Sequence, residues 1–331
     1  MQFIRPALLA TTILTASMTT AFADVRVVTS IKPVHSLVAA VMQGAGTPDL
    51  IVEGAGSPHT YALKPSQAKQ LQEADLVFWM SNDLEAFLEK SIDGIATKAV
   101  SVPLMESRGL MTLGFREGGA FDDHGHDEHD DHDKDDDHDH EKHDDHDDHE
   151  KHNEHDHGEV DPHVWLDPEN AKAMVHEIEE ALAKADPANA ATYESNAEAV
   201  MAKLDSLVAE IDSELQPVKG RGYIVFHDAY QYFENRFGVS AIGSITVSPE
   251  VLPGAERISD LQEKVRSLDA TCVFSEPQFE PKLVATVTEN TNARTGVLDP
   301  LGAAIDKGPN LYFTLIRNMA SSLKNCLLGS G

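Results

Sequence analysis

The chain has 331 residues, with 26 Lys+Arg against 56 Asp+Glu and a formal net charge of -30. So acidic a protein is excluded from binding nucleic acid or anionic membrane surfaces through charge. Much of the excess is local: residues 121–158 hold 19 acids and 3 lysines, a net -16, and leave an ordinary balance elsewhere.

Residues 1–23, MQFIRPALLATTILTASMTTAFA, place Arg5 ahead of a short apolar run and end in AFA. That is the pattern of a signal peptide cleaved after Ala23. No stretch reaches the roughly 20 apolar residues a membrane-spanning helix needs. The expected product is exported and soluble, begins at Asp24, and is long enough for two domains.

The β-branched run VRVVTS predicts a buried strand, followed by a loop and a short helix through SLVAAVMQ. DLIVE predicts a second strand and KPSQAKQLQEAD a helix with Pro65 in its first turn. LVFWM and KAVSVPL predict strands. The helix between them, in SNDLEAFLEKSID, is expected to be capped by Ser81 or Asn82. Strands alternating with helices imply a mostly parallel sheet with helices on its faces.

After the acidic run, DPENAKAMVHEIEEALAKADP predicts a helix between two prolines. The next segment predicts a helix of about 27 residues, roughly 40 Å long. Its apolar positions Val200, Leu204, Leu207, Val208, Ile211 and Leu215 form one buried stripe, as a stiff strut between two lobes requires. The alternation then restarts with strands in GYIVFH, VSAIGSI, TCVFSE and ARTGVL, and closes on the helix NLYFTLIRNMASSLKNCL. The expected architecture is α/β. A leader spans 1–23, an N-terminal lobe 24–186, a linking helix 187–216 and a C-terminal lobe 217–331.

Cys272 and Cys326 are the only cysteines. An even count in an exported chain predicts one disulfide, worth up to ~4 kcal/mol for a loop of this length.

Twelve of the 17 histidines crowd the acidic run: His124, His126, His129, His132, His138, His140, His143, His146, His149, His152, His155 and His157. So charged and apolar-poor a segment is expected to be disordered. Its histidines predict weak, repeated metal contact, an auxiliary to any organised site. Of the other five, His176 sits among glutamates on a solvated helix face, and His35 reads as a core or capping residue. His59, His163 and His227 share a context: each lies in a loop beside a helix or at a strand end. Loops at the carboxyl ends of parallel strands line the binding crevice of an open α/β fold, so these three can converge between the lobes. Asp299, in TGVLDPLGA, is a candidate fourth ligand; equally, it is a turn residue before Pro300.

Taken together, SPHTYALKPSQ, DPHVWLDPENA, FHDAYQYFENRFG and LDPLG, in this order, resemble the metal-binding family of ABC-importer substrate-binding proteins. The acidic His-rich insertion ahead of DPHVWLDP is similar to that of its periplasmic zinc-binding branch. The resemblance covers essentially all of the chain after the leader. It implies two four-stranded lobes joined by one long helix, with Zn²⁺ at their interface on His59, His163 and His227 and either Asp299 or a water as the fourth ligand. It also implies the periplasm as location, and a monomer that hands zinc to a membrane permease driven by a cytoplasmic ATPase. A periplasmic zinc chaperone is a further partner of the same kind. Two departures bear on the ligand set. Pro58 stands where some zinc members have Glu, and His227 stands where manganese members have Glu. Imidazole suits zinc, whereas Mn²⁺ prefers oxygen. The alternatives are a zinc buffer or storage protein, a manganese-type relative and a zinc hydrolase. No HExxH motif supports the hydrolase, and the chain is expected not to be an enzyme.

Overall fold

The structure is a computed structural model that describes residues 25–116, 160–246, 253–267 and 272–329. The expected leader and the twelve histidines of the acidic run lie outside the described residues.

Two all-parallel sheets organise the molecule. The first contains β1 (Val27–Thr29), β2 (Asp49–Leu50), β3 (Leu76–Trp79) and β4 (Val100–Pro103), in the order β2-β1-β3-β4. The second contains β5 (Tyr223–His227), β6 (Ala241–Thr246), β7 (Cys272–Ser275) and β8 (Arg294–Val297), in the order β6-β5-β7-β8. Parallel strands need crossovers. Here these include α1 (Lys32–Val41), α2 (Pro65–Glu73) and α3 (Ala86–Ile95) in the first half, and α6 (Gln231–Phe237), α7 (Ala255–Ser267) and α8 (Lys282–Thr288) in the second. Gly238, at φ 65°, ends α6 in the left-handed conformation that glycine adopts without strain.

The halves meet through α4 (Pro168–Ala185), α5 (Ala190–Leu215) and α9 (Leu311–Leu328). Helix α5 packs against α1, α4 and α9. It buries Val200, Leu204, Leu207, Ile211 and Leu215, the stripe its periodicity predicts; Val208 is only partly covered. One apolar core therefore runs from Val28 and Leu76 of the first sheet, through α5, to Tyr223 and Phe274 of the second. A smaller cluster on the far face of the second sheet holds Ile224, Phe226, Ile245 and Val273. Alternation along β5 assigns its side chains between the two cores.

Two features differ from the sequence reading or add to it. Helix α3 starts at Ala86, not after Ser81 or Asn82. Buried Glu85 accepts the N–H groups of Met80 (2.9 Å) and Ser81 (3.1 Å), so residues 80–85 close a turn before the helix begins. Lys32, buried on α1, donates to the carbonyls of Gly302 (2.6 Å), Ala303 (3.0 Å) and Ile305 (2.6 Å), and so ties the first half to a loop of the second. Cys272, opening β7, is joined by a disulfide to Cys326 of α9.

Candidate metal site

Three short segments bring the site together. His59 lies in a 3-10 turn, Pro58–Thr60, in the loop between β2 and α2. His163 precedes a second 3-10 turn, Val164–Leu166, whose apolar side chains are fully buried. That turn runs into α4, where Asp167 caps the helix by accepting from Glu169 N at 2.9 Å. His227 is the last residue of β5, at the carboxyl end of the second sheet.

One nitrogen from each ring falls within 4.8 Å of the others. The Nε2 atoms of His163 and His227 are 3.4 Å apart. Both residues are buried, with only 4% of their surface exposed, and His59 is partly covered. The walls are apolar or tightly held. Trp165 packs beside His163, with ring centroids 5.2 Å apart, and donates its indole N–H to Pro300 O at 2.9 Å. Phe279 meets the edge of His227 and stacks on Phe226.

Carboxylates orient the two buried rings. Asp161 Oδ1 lies 2.6 Å from His163 Nδ1 and accepts the His163 backbone N–H at 2.9 Å. Glu276 Oε1 lies 2.7 Å from His227 Nδ1. An ionised carboxylate only accepts, so each Nδ1 carries a hydrogen and Nε2 is the nitrogen that faces a metal. This is the support that metal-ligating histidines take from outer carboxylates.

The electrostatics separate the rings further. Burial, with His163 and His227 adding to it, holds His59 down at about 2, so this ring is neutral at any ordinary pH. Burial also lowers His227, but the Glu276 carboxylate more than reverses that, and the net displacement is upward. Three imidazoles facing one point, each giving a nitrogen lone pair once any proton there is displaced, are a donor set for a borderline cation such as zinc.

Asp299 does not join the cluster. Its carboxylate accepts from Gln278 Nε2 (3.0 Å) and from the backbone N–H groups of Leu301 (3.2 Å), Gly302 (2.9 Å) and Ala303 (2.6 Å). In this arrangement it has the turn role that its place before Pro300 allows, and both oxygens are engaged. Neither Glu276 nor Asp161 carries a sequence signal of its role beside an imidazole. Glu276 follows β7 in FSEPQ, a strand-end position like that of His227 and so open to the same reasoning. His35 is buried in α1 outside the cluster, and His176 is exposed beside Glu179 and Glu180.

Over residues 27–326 the chain matches the family described as zinc-uptake complex component A, periplasmic (ZnuA). It is 58% identical over 304 residues to the high-affinity zinc uptake system protein ZnuA of Brucella abortus, covering 91% of each chain. To the protein of the same description from Yersinia pestis it is 35% identical over 327 residues, covering 98% of each. A crystal structure of ZnuA superposes with a TM-score of 0.73 at 23% identity, over 92% of this chain and 99% of the other. A laminin-binding adhesin from Streptococcus agalactiae superposes almost as well, at 0.70 and 22% identity over 92% of this chain and 99% of the other. Likeness at that level shows the fold alone.

Proposed function

The chain belongs to the family of periplasmic zinc-uptake components, and from that premise we propose that His59, His163 and His227 together capture the Zn²⁺ that it carries. The protein is the zinc-binding component of an ABC uptake system, and it delivers its cargo to the permease of that importer. Its leader, residues 1–23, directs it to the periplasm and is removed after Ala23. The lobes 24–186 and 217–331 frame the cleft, with 187–216 as the strut between them. It acts as a monomer, and a periplasmic zinc chaperone is a further source of cargo.

The observation that carries this reading is the convergence of three imidazoles, two of them with Nδ1 held by a buried carboxylate. Three ligands leave a fourth tetrahedral position. Asp299 would have to give up backbone donors to reach it, and hydrogen bonds to a charged group contribute about 1.5–3 kcal/mol each. Water fills the position at lower cost. The family is one of transport components, and the reading assigns no catalytic residue.

Replacing each histidine in turn by Ala, in competition against a chelator of known zinc affinity, tests the assignment. Each variant should lose the tight zinc phase. Wild-type binding by all three variants would move the site elsewhere.

A further inference from the structure

The His-rich insertion leaves and re-enters the fold at a stem whose ends are described. Gly114 and Val160 form an antiparallel bridge there, and Asp161 N donates to Leu113 O at 2.9 Å. Four side chains from the second half of the molecule grip that stem. Gln231 Nε2 donates to Gly114 O (3.0 Å) and to Asp161 Oδ2 (2.6 Å). The Tyr232 hydroxyl accepts from Leu113 N (2.9 Å) and donates to Asp161 O (2.8 Å). Arg116 reaches across in the other direction. Its Nε lies 2.9 Å from Asp228 Oδ2 and its Nη1 2.7 Å from Glu234 Oε2, and Nη2 also pairs with Asp228.

Each end of this network stops one bond short of a ligand histidine. Asp161, held by Gln231 and Tyr232, is the carboxylate on His163 Nδ1. Asp228, held by Arg116, follows His227 directly in the chain. The contacts are largely shielded from water: the side chains of Arg116, Asp228 and Glu234 are 22%, 9% and 5% exposed. A guanidinium fork that engages two carboxylates fixes distance and angle together, which a point charge does not.

We propose that this clasp sets the separation of His163 and His227, so that Arg116 and Gln231 are positioning residues that govern how fast metal leaves a site they do not touch. The proposal rests on the zinc reading above. It makes the root of the insertion a mechanical part of the metal site. A purely structural ion pair would alter unfolding and leave the metal's surroundings as they are.

Arg116→Lys keeps the charge and loses the fork. Gln231→Ala removes no charge, takes away the donor to Asp161 Oδ2 and Gly114 O, and is the second variant should the arginine one fail to fold. Zinc release is timed by mixing the loaded full-length protein with excess chelator, and Co²⁺ alone is bound to read ligand geometry from its visible absorption. Both variants should release zinc about 10- to 100-fold faster, the range typical of lost outer-shell support, and should alter the Co²⁺ band. Arg317→Gln removes a comparable bidentate pair, with Glu210 on α5, and should change neither. Wild-type release rates and an unchanged Co²⁺ spectrum in both variants would overturn the clasp, whatever their melting temperatures. Absence of a tight zinc phase in the wild type would instead defeat the zinc reading, and the clasp with it.

Discussion

His163 takes its carboxylate from two residues upstream, Asp161, whereas His227 takes its own from Glu276, 49 residues away and just beyond a neighbouring strand. The first pair lies within one short segment, which burial of Val164, Trp165 and Leu166 fixes against the core, and Gln231 and Tyr232 hold its carboxylate residue from outside. The second pair exists only if β5 and β7 are in register, Tyr223 against Cys272 and Ile224 against Val273. Strand register thus brings one pair together, whereas the other is adjacent in sequence and only steadied by tertiary contacts. The disulfide that opens β7 anchors the half that depends on register.

The sharpest way to break this comparison is Glu276→Gln. The amide still accepts a hydrogen bond, but without charge, so the Nδ1–H form of His227 loses its main support. Zinc affinity should fall about 10- to 100-fold, measured by chelator competition at neutral pH. Equal affinities would show that the strand-end carboxylate is not an orienter.

Acid should separate the rings next. His59 is held at about 2, so it does not compete for protons in the working range. His227 is displaced upward, so the metal-free fold holds a proton there at pH values where the unfolded chain does not. The sign follows from linkage. That proton's contribution to stability of the metal-free protein is present below the ordinary histidine value, and it is lost as pH rises through the higher folded value. Zinc must displace it, so affinity should fall by up to about tenfold per unit as pH drops below the folded value, with the decline already under way above about 6.5. Glu276→Gln should move its onset to lower pH. A profile that stays flat from pH 8 to 5 would contradict both expectations.

The smallest effect on binding is expected at Asp299. Replacement by Ala removes the acceptor for three backbone N–H groups and Gln278. It should lower thermal stability by about 1–3 kcal/mol and change zinc affinity little. A large loss of affinity with little loss of stability would restore Asp299 as a ligand.

The sequence carries the site unevenly, for physical reasons. Alternation of period 2 and period 3.6 exposes the two parallel sheets and α5, because burial imposes those periods. Position at a strand end, for His227, or in a loop ahead of a helix, for His59 and His163, marks the three candidates. It exposes Glu276 as well, but a lone acid after a strand carries no mark of the imidazole it will meet. Arg116 is less legible still, since its partners lie 112 and 118 residues on. Asp299 shows a different limit: before a proline, a ligand and a turn former are the same residue, and only coordinates tell which donors surround it. At α3 the cap residues present in the sequence are bypassed because Glu85, from further along, closes the turn first.

Lys32 has a consequence for how cargo is exchanged. Its ammonium is buried in the first half, and the carbonyls of Gly302, Ala303 and Ile305 that receive it belong to the second. A clamshell motion would break those three charge-assisted bonds and expose the apolar core that runs through α5. The expected behaviour is therefore a fixed relation between the two halves on zinc binding, with any movement confined to the turn that bears partly covered His59. The radius of gyration in solution should be the same with and without zinc, while hydrogen exchange changes in the loop between β2 and α2.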